Sequence, residues 1–125
     1  MPPKPSATLT EAELRLMEVL WERGACSVQQ VLESLPGGRV LAYNSVLTTI
    51  RILEKKGYVG HAKDGRAHIY APLVPRSDAT RSEVRNLVRR LFQDSHELLV
   101  LNILEDSGLS EGELQRLKQY LKEQE

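Results

Sequence analysis

Asn44, Thr48, Arg51 and Lys55 recur at intervals of three and four residues, so in a helix they share one face. Their side chains carry the donors and acceptors that suit base edges and phosphates. Arginine can grip a guanine with two parallel hydrogen bonds, and asparagine can read an adenine or hold a phosphate. Ser45 lies beside this face. Tyr43, near its start, is placed to touch a nucleic-acid backbone, as are Lys55 and Lys56 at its far end. A second cationic pair, Lys63 and Arg66, brackets Asp64-Gly65 and is placed for an adjacent phosphate or a minor groove.

Other chemistry is poorly represented. The chain has one cysteine, Cys26, which excludes an internal disulfide framework and an all-cysteine metal site within one chain. No glycine-rich phosphate loop, paired-carboxylate pattern or nucleophile-base set occurs, so neither catalytic residues nor cofactors are expected. If Asp64-Gly65 forms a two-residue type I′ turn, His61 and His68 face each other across a hairpin. Two imidazoles do not complete a tetrahedral zinc site, and no metal is expected.

The elements that must position these residues can be read from caps and periodicity. Thr10 with Glu13 forms a capping box, flanked by a Leu9–Leu14 staple, and opens a helix carrying Leu14, Met17, Val19, Leu20 and Trp21 before Gly24. Ser27 with Gln30 repeats the device for a short helix, with Val28, Val31, Leu32 and Leu35 inward and Pro36-Gly37-Gly38 as its stop. The third helix, near 43–56, lacks a good cap at Ala42. It directs Val46, Ile50 and Leu53 toward a core and ends at Gly57. Tyr58–Ala62 and Ala67–Ala71 then read as the strands of a hairpin, with Pro72 and Pro75 beyond it.

Helix, helix, helix, hairpin is the order of a winged helix-turn-helix domain. The predicted fold is mainly α with a small β-hairpin wing, followed by a C-terminal helical dimerisation arm. Residues 1–7 read as a Pro-rich disordered tail, 8–75 as the winged-helix DNA-binding domain and 76–125 as the helical dimerisation region. In that last region Ser77 opens a helix, and Ser110 with Glu113 makes a third capping box. Its apolar residues Val84, Leu87, Val88, Leu91, Leu98, Leu99, Leu101, Ile103, Leu104, Leu114, Leu117 and Leu121 have no evident place in the first core. Each would forfeit roughly 1.5–3 kcal/mol if left wet, which a second copy of the chain would recover.

Net charge is zero over 125 residues, yet it is unevenly divided. Residues 39–90 hold 11 basic against four acidic side chains, whereas 1–38 and 91–125 carry net charges of −2 and −5. A basic middle between acidic flanks lets a polyanion meet one region. No apolar run approaches the ~20 residues that span a bilayer, and no signal-peptide pattern opens the chain, so a cytoplasmic protein without membrane insertion is expected.

Several phrases carry a family resemblance. Leu9–Glu13 with Val19-Leu20-Trp21, Ala42–Arg51, Lys55–Val59, Gly65-Arg66-Ala67, Tyr70–Val74 and Leu99–Asn102 are similar to those of the BlaI/MecI/CopY repressors, over nearly all of the chain after the tail. The resemblance implies a homodimeric transcriptional repressor on inverted-repeat, double-stranded operator DNA, with C-terminal helices interlocked between subunits. In the penicillinase-repressor branch, a membrane sensor metalloprotease responds to β-lactam or cell-wall stress, and repressor cleavage relieves repression. There the cut lies between Asn and Phe, which maps to Asn102-Ile103 and makes this pair the candidate cleavage site, with Ile103 departing from the pattern. The copper-responsive branch carries a C-terminal cysteine cluster that this chain lacks. Many relatives carry a second arginine where this chain has Ile52. A winged-helix protein-interaction module and a regulator relieved by a small-molecule ligand are the alternatives.

Overall fold

Reciprocal caps start three helices in the computed structural model, which describes residues 8–35, 42–106 and 108–125. At α1 (Glu11–Arg23), the Thr10 hydroxyl accepts from the Glu13 amide at 3.2 Å while the Glu13 carboxylate accepts from the Thr10 amide at 2.9 Å. Ser27 and Gln30 do the same for α2 (Val28–Ser34), as do Ser110 and Glu113 for α6 (Glu111–Glu123). Each box satisfies backbone groups that a helix start otherwise leaves unpaired. Ala42 provides no side-chain cap to α3 (Tyr43–Lys56), whose end is set by Gly57 in the left-handed conformation at φ 92°. The expected Pro36-Gly37-Gly38 stop and the 1–7 tail lie outside the described residues.

The apolar faces of these helices converge. Leu16, Met17 and Leu20 of α1, Val28 and Val31 of α2, and Val46, Ile50 and Leu53 of α3 are buried with Tyr58, Val59 and Tyr70. Leu14 is not among them: it is 36% exposed, and the buried α1 face instead runs Glu13, Leu16, Met17, Leu20. The i, i+3, i+4, i+7 rule therefore places a carboxylate in line with the core.

A three-stranded antiparallel sheet in the order β1-β3-β2 closes this unit. It comprises β1 (Cys26–Ser27), β2 (Val59–Asp64) and β3 (Ala67–Pro72). The short β1 pairs Cys26 with Tyr70 and Ser27 with Ile69, and two residues are too few to show alternation in sequence. The hairpin differs from the expected register. Asp64 pairs with Ala67, leaving Gly65-Arg66 as the two-residue loop, so His61 faces Tyr70 and His68 faces Lys63. Only Gly65 takes positive φ in the hairpin, at 64°. That is the demand of a type II′ turn on its first loop residue, which glycine meets without steric cost. His61 and His68 are consequently diagonal neighbours, with rings stacked at 4.8 Å between centroids.

The chain divides into two compact units between Val84 and Arg85, within α4 (Arg76–Leu91). This helix begins one residue before Ser77, with the Pro75 carbonyl accepting from the amides of Asp78 and Ala79. In the first unit, Trp21 Nε1 donates to the Val74 carbonyl at 2.8 Å, Arg76 lies 5.3 Å over the Trp21 ring and Ala79 joins the core. The second unit contains the rest of α4, α5 (His96–Glu105) and α6. Val88 and Asn86 are buried there, whereas neither α5 nor α6 buries a residue.

Candidate nucleic-acid interface

Burying Val46, Ile50 and Leu53 turns the opposite side of α3 to solvent. Asn44, Ser45, Thr48, Arg51 and Lys55 are all exposed, and Tyr43 is 46% exposed at the helix start. The Thr48 hydroxyl donates to the Asn44 carbonyl at 2.8 Å and that of Thr49 to the Ser45 carbonyl at 3.0 Å. These bonds fix the Thr48 rotamer and leave its oxygen able to accept and its methyl able to touch an apolar base edge.

Between α3 and the wing runs a groove of about 360 Å³. Tyr43 and Arg51 line one wall, Arg66 and His68 another, and Ser27 and Gln29 at the start of α2 the third. Among the described residues no carboxylate borders it. Lys63 and Arg66 are exposed on the wing, and Arg51, Lys55, Lys63 and Arg66 enter no ion pair among the described residues. Arg51 and Arg66 on this concave surface, with Lys55 and Lys63 exposed on the same two elements, create a positive potential although the chain is neutral. Burial, reinforced by the Glu54 carboxylate, pushes the Tyr70 phenol up, so it remains neutral at the back of this groove.

A hydrogen bond between Glu54 and His61 Nδ1 links α3 to β2 beside this surface, and the buried Tyr58, Val59 and Tyr70 anchor the wing in the core. Ser27 and Gln29 border the groove without any nucleic-acid signal in their own sequence, whereas His68, on the wing strand, reads from sequence as either a solvent-facing strand partner or a DNA-backbone contact. The Ser27–Gln30 cap signals a helix start, but only the β1–β3 pairing brings that start beside the wing.

Lys56 is turned away from this surface. Its ammonium lies 2.7 Å from Glu13 Oε1 and donates to the Thr8 carbonyl at 3.3 Å. Burial alone raises the pKa of Glu13, but hydrogen bonds from Lys56 and Thr10 outweigh it and hold the carboxyl below the ordinary glutamate value. Among the described residues no group of three or more potential metal ligands comes together. Cys26 is buried, with Sγ 3.4 Å from the Gly24 carbonyl.

The apolar residues read as an arm are distributed differently. Val88 is buried; Leu87, Leu99 and Leu114 are half-buried; and Val84, Leu91, Leu98, Leu101, Ile103, Leu104, Leu117 and Leu121 are exposed. Asn102 and Ile103 lie exposed in α5, with the Asn102 carbonyl accepting from the Asp106 amide at 3.2 Å. No described helix is long and apolar enough to cross a membrane.

Comparison with known proteins agrees with this architecture. The profile of the penicillinase repressor family matches residues 9–123. The chain is 30% identical to the penicillinase repressor of Bacillus licheniformis over 115 residues, covering 92% of this chain and 90% of that protein. It is 33% identical to the transcriptional regulator BlaI of Mycobacterium tuberculosis, covering 86% and 80%. With the methicillin resistance regulatory protein MecI of Mammaliicoccus sciuri it shares 27% identity, covering 90% and 92%. Among solved structures, the DNA-binding domain of the repressor BlaI superposes with a TM-score of 0.53 at 29% identity, covering 61% of this chain and 93% of that one. The core, the helix order and the small sheet are thus those of a winged helix, and the chain belongs to the penicillinase repressor family, a family of transcriptional repressors rather than enzymes.

Proposed function

We propose that this protein is a homodimeric repressor that binds an inverted-repeat operator through α3 and the wing. The observation that carries the reading is the exposed Asn44, Thr48, Arg51, Lys55 face beside a groove flanked by Arg51 and Arg66, with no carboxylate among its described lining residues. Asn44, Ser45, Thr48 and Arg51 enter the major groove; Tyr43, Lys55, Lys63 and Arg66 hold the backbone. Lys56 serves the fold through Glu13.

Dimerisation is supported by the absence of buried residues in α5 and α6, whose leucines and isoleucine need a partner surface. Residues 8–75 then act as the DNA-binding part and 76–125 as the arm. Joining two half-site contacts makes the second intramolecular, a gain of about 10²–10⁴ in affinity. A cut at Asn102-Ile103 would remove α6 and the end of α5, separating the half-sites without touching a DNA contact. That bond is helical, so a protease must first unwind α5 locally. We further propose a β-lactam or cell-wall signal transmitted by a membrane sensor metalloprotease, with the repressor in the cytoplasm; the relatives named for penicillinase and methicillin resistance support a link to such antibiotics.

A second reading, relief by a small apolar ligand, has one feature in its favour. Leu9, Leu14, Trp21, Ala79 and Val84 line a largely apolar hollow of about 330 Å³.

Leu101→Asp tests the principal reading. Sedimentation should shift from dimer to monomer, with operator affinity falling about 10²-fold or more while half-site affinity is retained. A wild-type protein that sediments as a monomer at micromolar concentration, or ignores DNA in dilute buffer, would refute it.

A further inference from the structure

Three consecutive backbone groups before α1 are each held by a different helix. The Thr8 carbonyl accepts from Lys56 of α3 at 3.3 Å, the Leu9 amide donates to Glu83 of α4 at 2.6 Å, and the Thr10 amide donates to Glu13 of α1 at 2.9 Å. Lys56 and Glu13 close the set directly at 2.7 Å. The last turn of the DNA-facing helix and the second turn of α4 therefore grip the same short segment. Charged hydrogen bonds of this kind are stronger and more directional than neutral ones.

Their location gives them leverage. The first turns of α4 rest on the DNA-binding unit through Arg76 over Trp21, buried Ala79 and Glu83, and the same helix continues past Val84 as the covalent path into the second unit. A 16-residue helix is about 24 Å long. A tilt of roughly 10° about its start moves its far end by about 4 Å, close to the rise of one base pair of about 3.4 Å.

We propose that Glu83 and Lys56 are positioning residues that set the operator spacing the dimer accepts, by locking the start of α4 to the end of α3 through Thr8–Thr10. The proposal rests on the dimeric-repressor reading. Neither residue touches DNA: Lys56 holds the end of α3, and Glu83 holds the start of the arm. The wild-type dimer should consequently prefer one spacing sharply, and loss of either grip should broaden that preference while leaving each half-site contact intact.

The test uses the full chain. Duplexes selected by the protein from random-sequence DNA define a half-site, which is then presented singly and in inverted pairs at successive spacings one base pair apart. Wild type should lose about tenfold in affinity one base pair from its optimum. For Glu83→Ala that penalty should shrink to under about threefold, with single-half-site affinity within about twofold of wild type. Glu83→Gln, whose amide oxygen still accepts from Leu9, should restore the wild-type profile. If Glu83→Ala melts below the assay temperature, Lys56→Met carries the test with the same expectation and an unchanged salt dependence.

A folded variant with the wild-type spacing profile would overturn the proposal. So would equal losses on single and paired sites, which mark general destabilisation, or a shallower salt dependence in Lys56→Met, which marks a phosphate contact. Wild type binding paired sites no better than single ones would instead bring down the dimeric reading itself.

Discussion

The salt dependence of DNA binding can be derived from the exposed cations. Lys55, Lys63 and Arg66, the cations placed on the backbone, are solvent-facing and free of ion pairs among the described residues, giving three per protomer. Each phosphate neutralised on duplex DNA contributes about 0.9 to the slope of log affinity against log salt. A dimer on a two-half-site duplex should therefore show a slope of roughly −5, and a single half-site about half that. Raising salt fourfold, from about 50 to 200 mM, should then weaken the dimer by about 10³-fold. Lys63→Ala removes one such cation from each protomer. It should reduce the steepness by up to about 2 on the paired site, while Lys56→Met, whose ammonium is committed to Glu13, should leave it unchanged. Fluorescence anisotropy titrations over a salt series measure all three slopes. A wild-type slope shallower than about −3 on the paired site would refute the assignment of these three side chains to phosphates.

Two further outcomes follow from the core and from Glu13. Ile50→Ala, at a fully buried position beneath the DNA-facing side, should cost about 2–5 kcal/mol in urea unfolding, whereas Arg51→Ala should change stability by less than about 0.5 kcal/mol. Because the folded state holds the Glu13 pKa below its ordinary value, the unfolded chain binds more protons in acid. The contribution of Glu13 to stability is thus complete above the unfolded glutamate pKa of about 4.3 and is lost as pH falls through the lower folded value. Thermal melts between about pH 3 and 7 should show that loss, and Glu13→Gln should flatten it.

The wing shows where one-dimensional reasoning reaches its limit. Glycine at a hairpin tip is a strong local signal, but a shift of one residue in the loop changes every cross-strand partner. The side chains around Asp64-Gly65-Arg66 do not distinguish the two registers; pairing of the whole of β3 with both β1 and β2 does. In α1 the same limit appears at Glu13. Its capping role depends on Thr10 three residues away and is legible, whereas its burial against Lys56 joins residues 43 apart.

The amino-acid order alone determined the three capping boxes, the buried stripe of α3, the polar face opposite it and the family, because each rests on residues within a turn or two of one another or on phrases kept intact along the chain. Tertiary structure alone decided that Ser27 and Gln29 border the same groove as Arg51 and Arg66, that Lys56 turns inward and that Glu83 grasps Leu9. Those outcomes depend on which elements pack together. Packing is selected by the summed burial of many side chains, so no short stretch of sequence carries it.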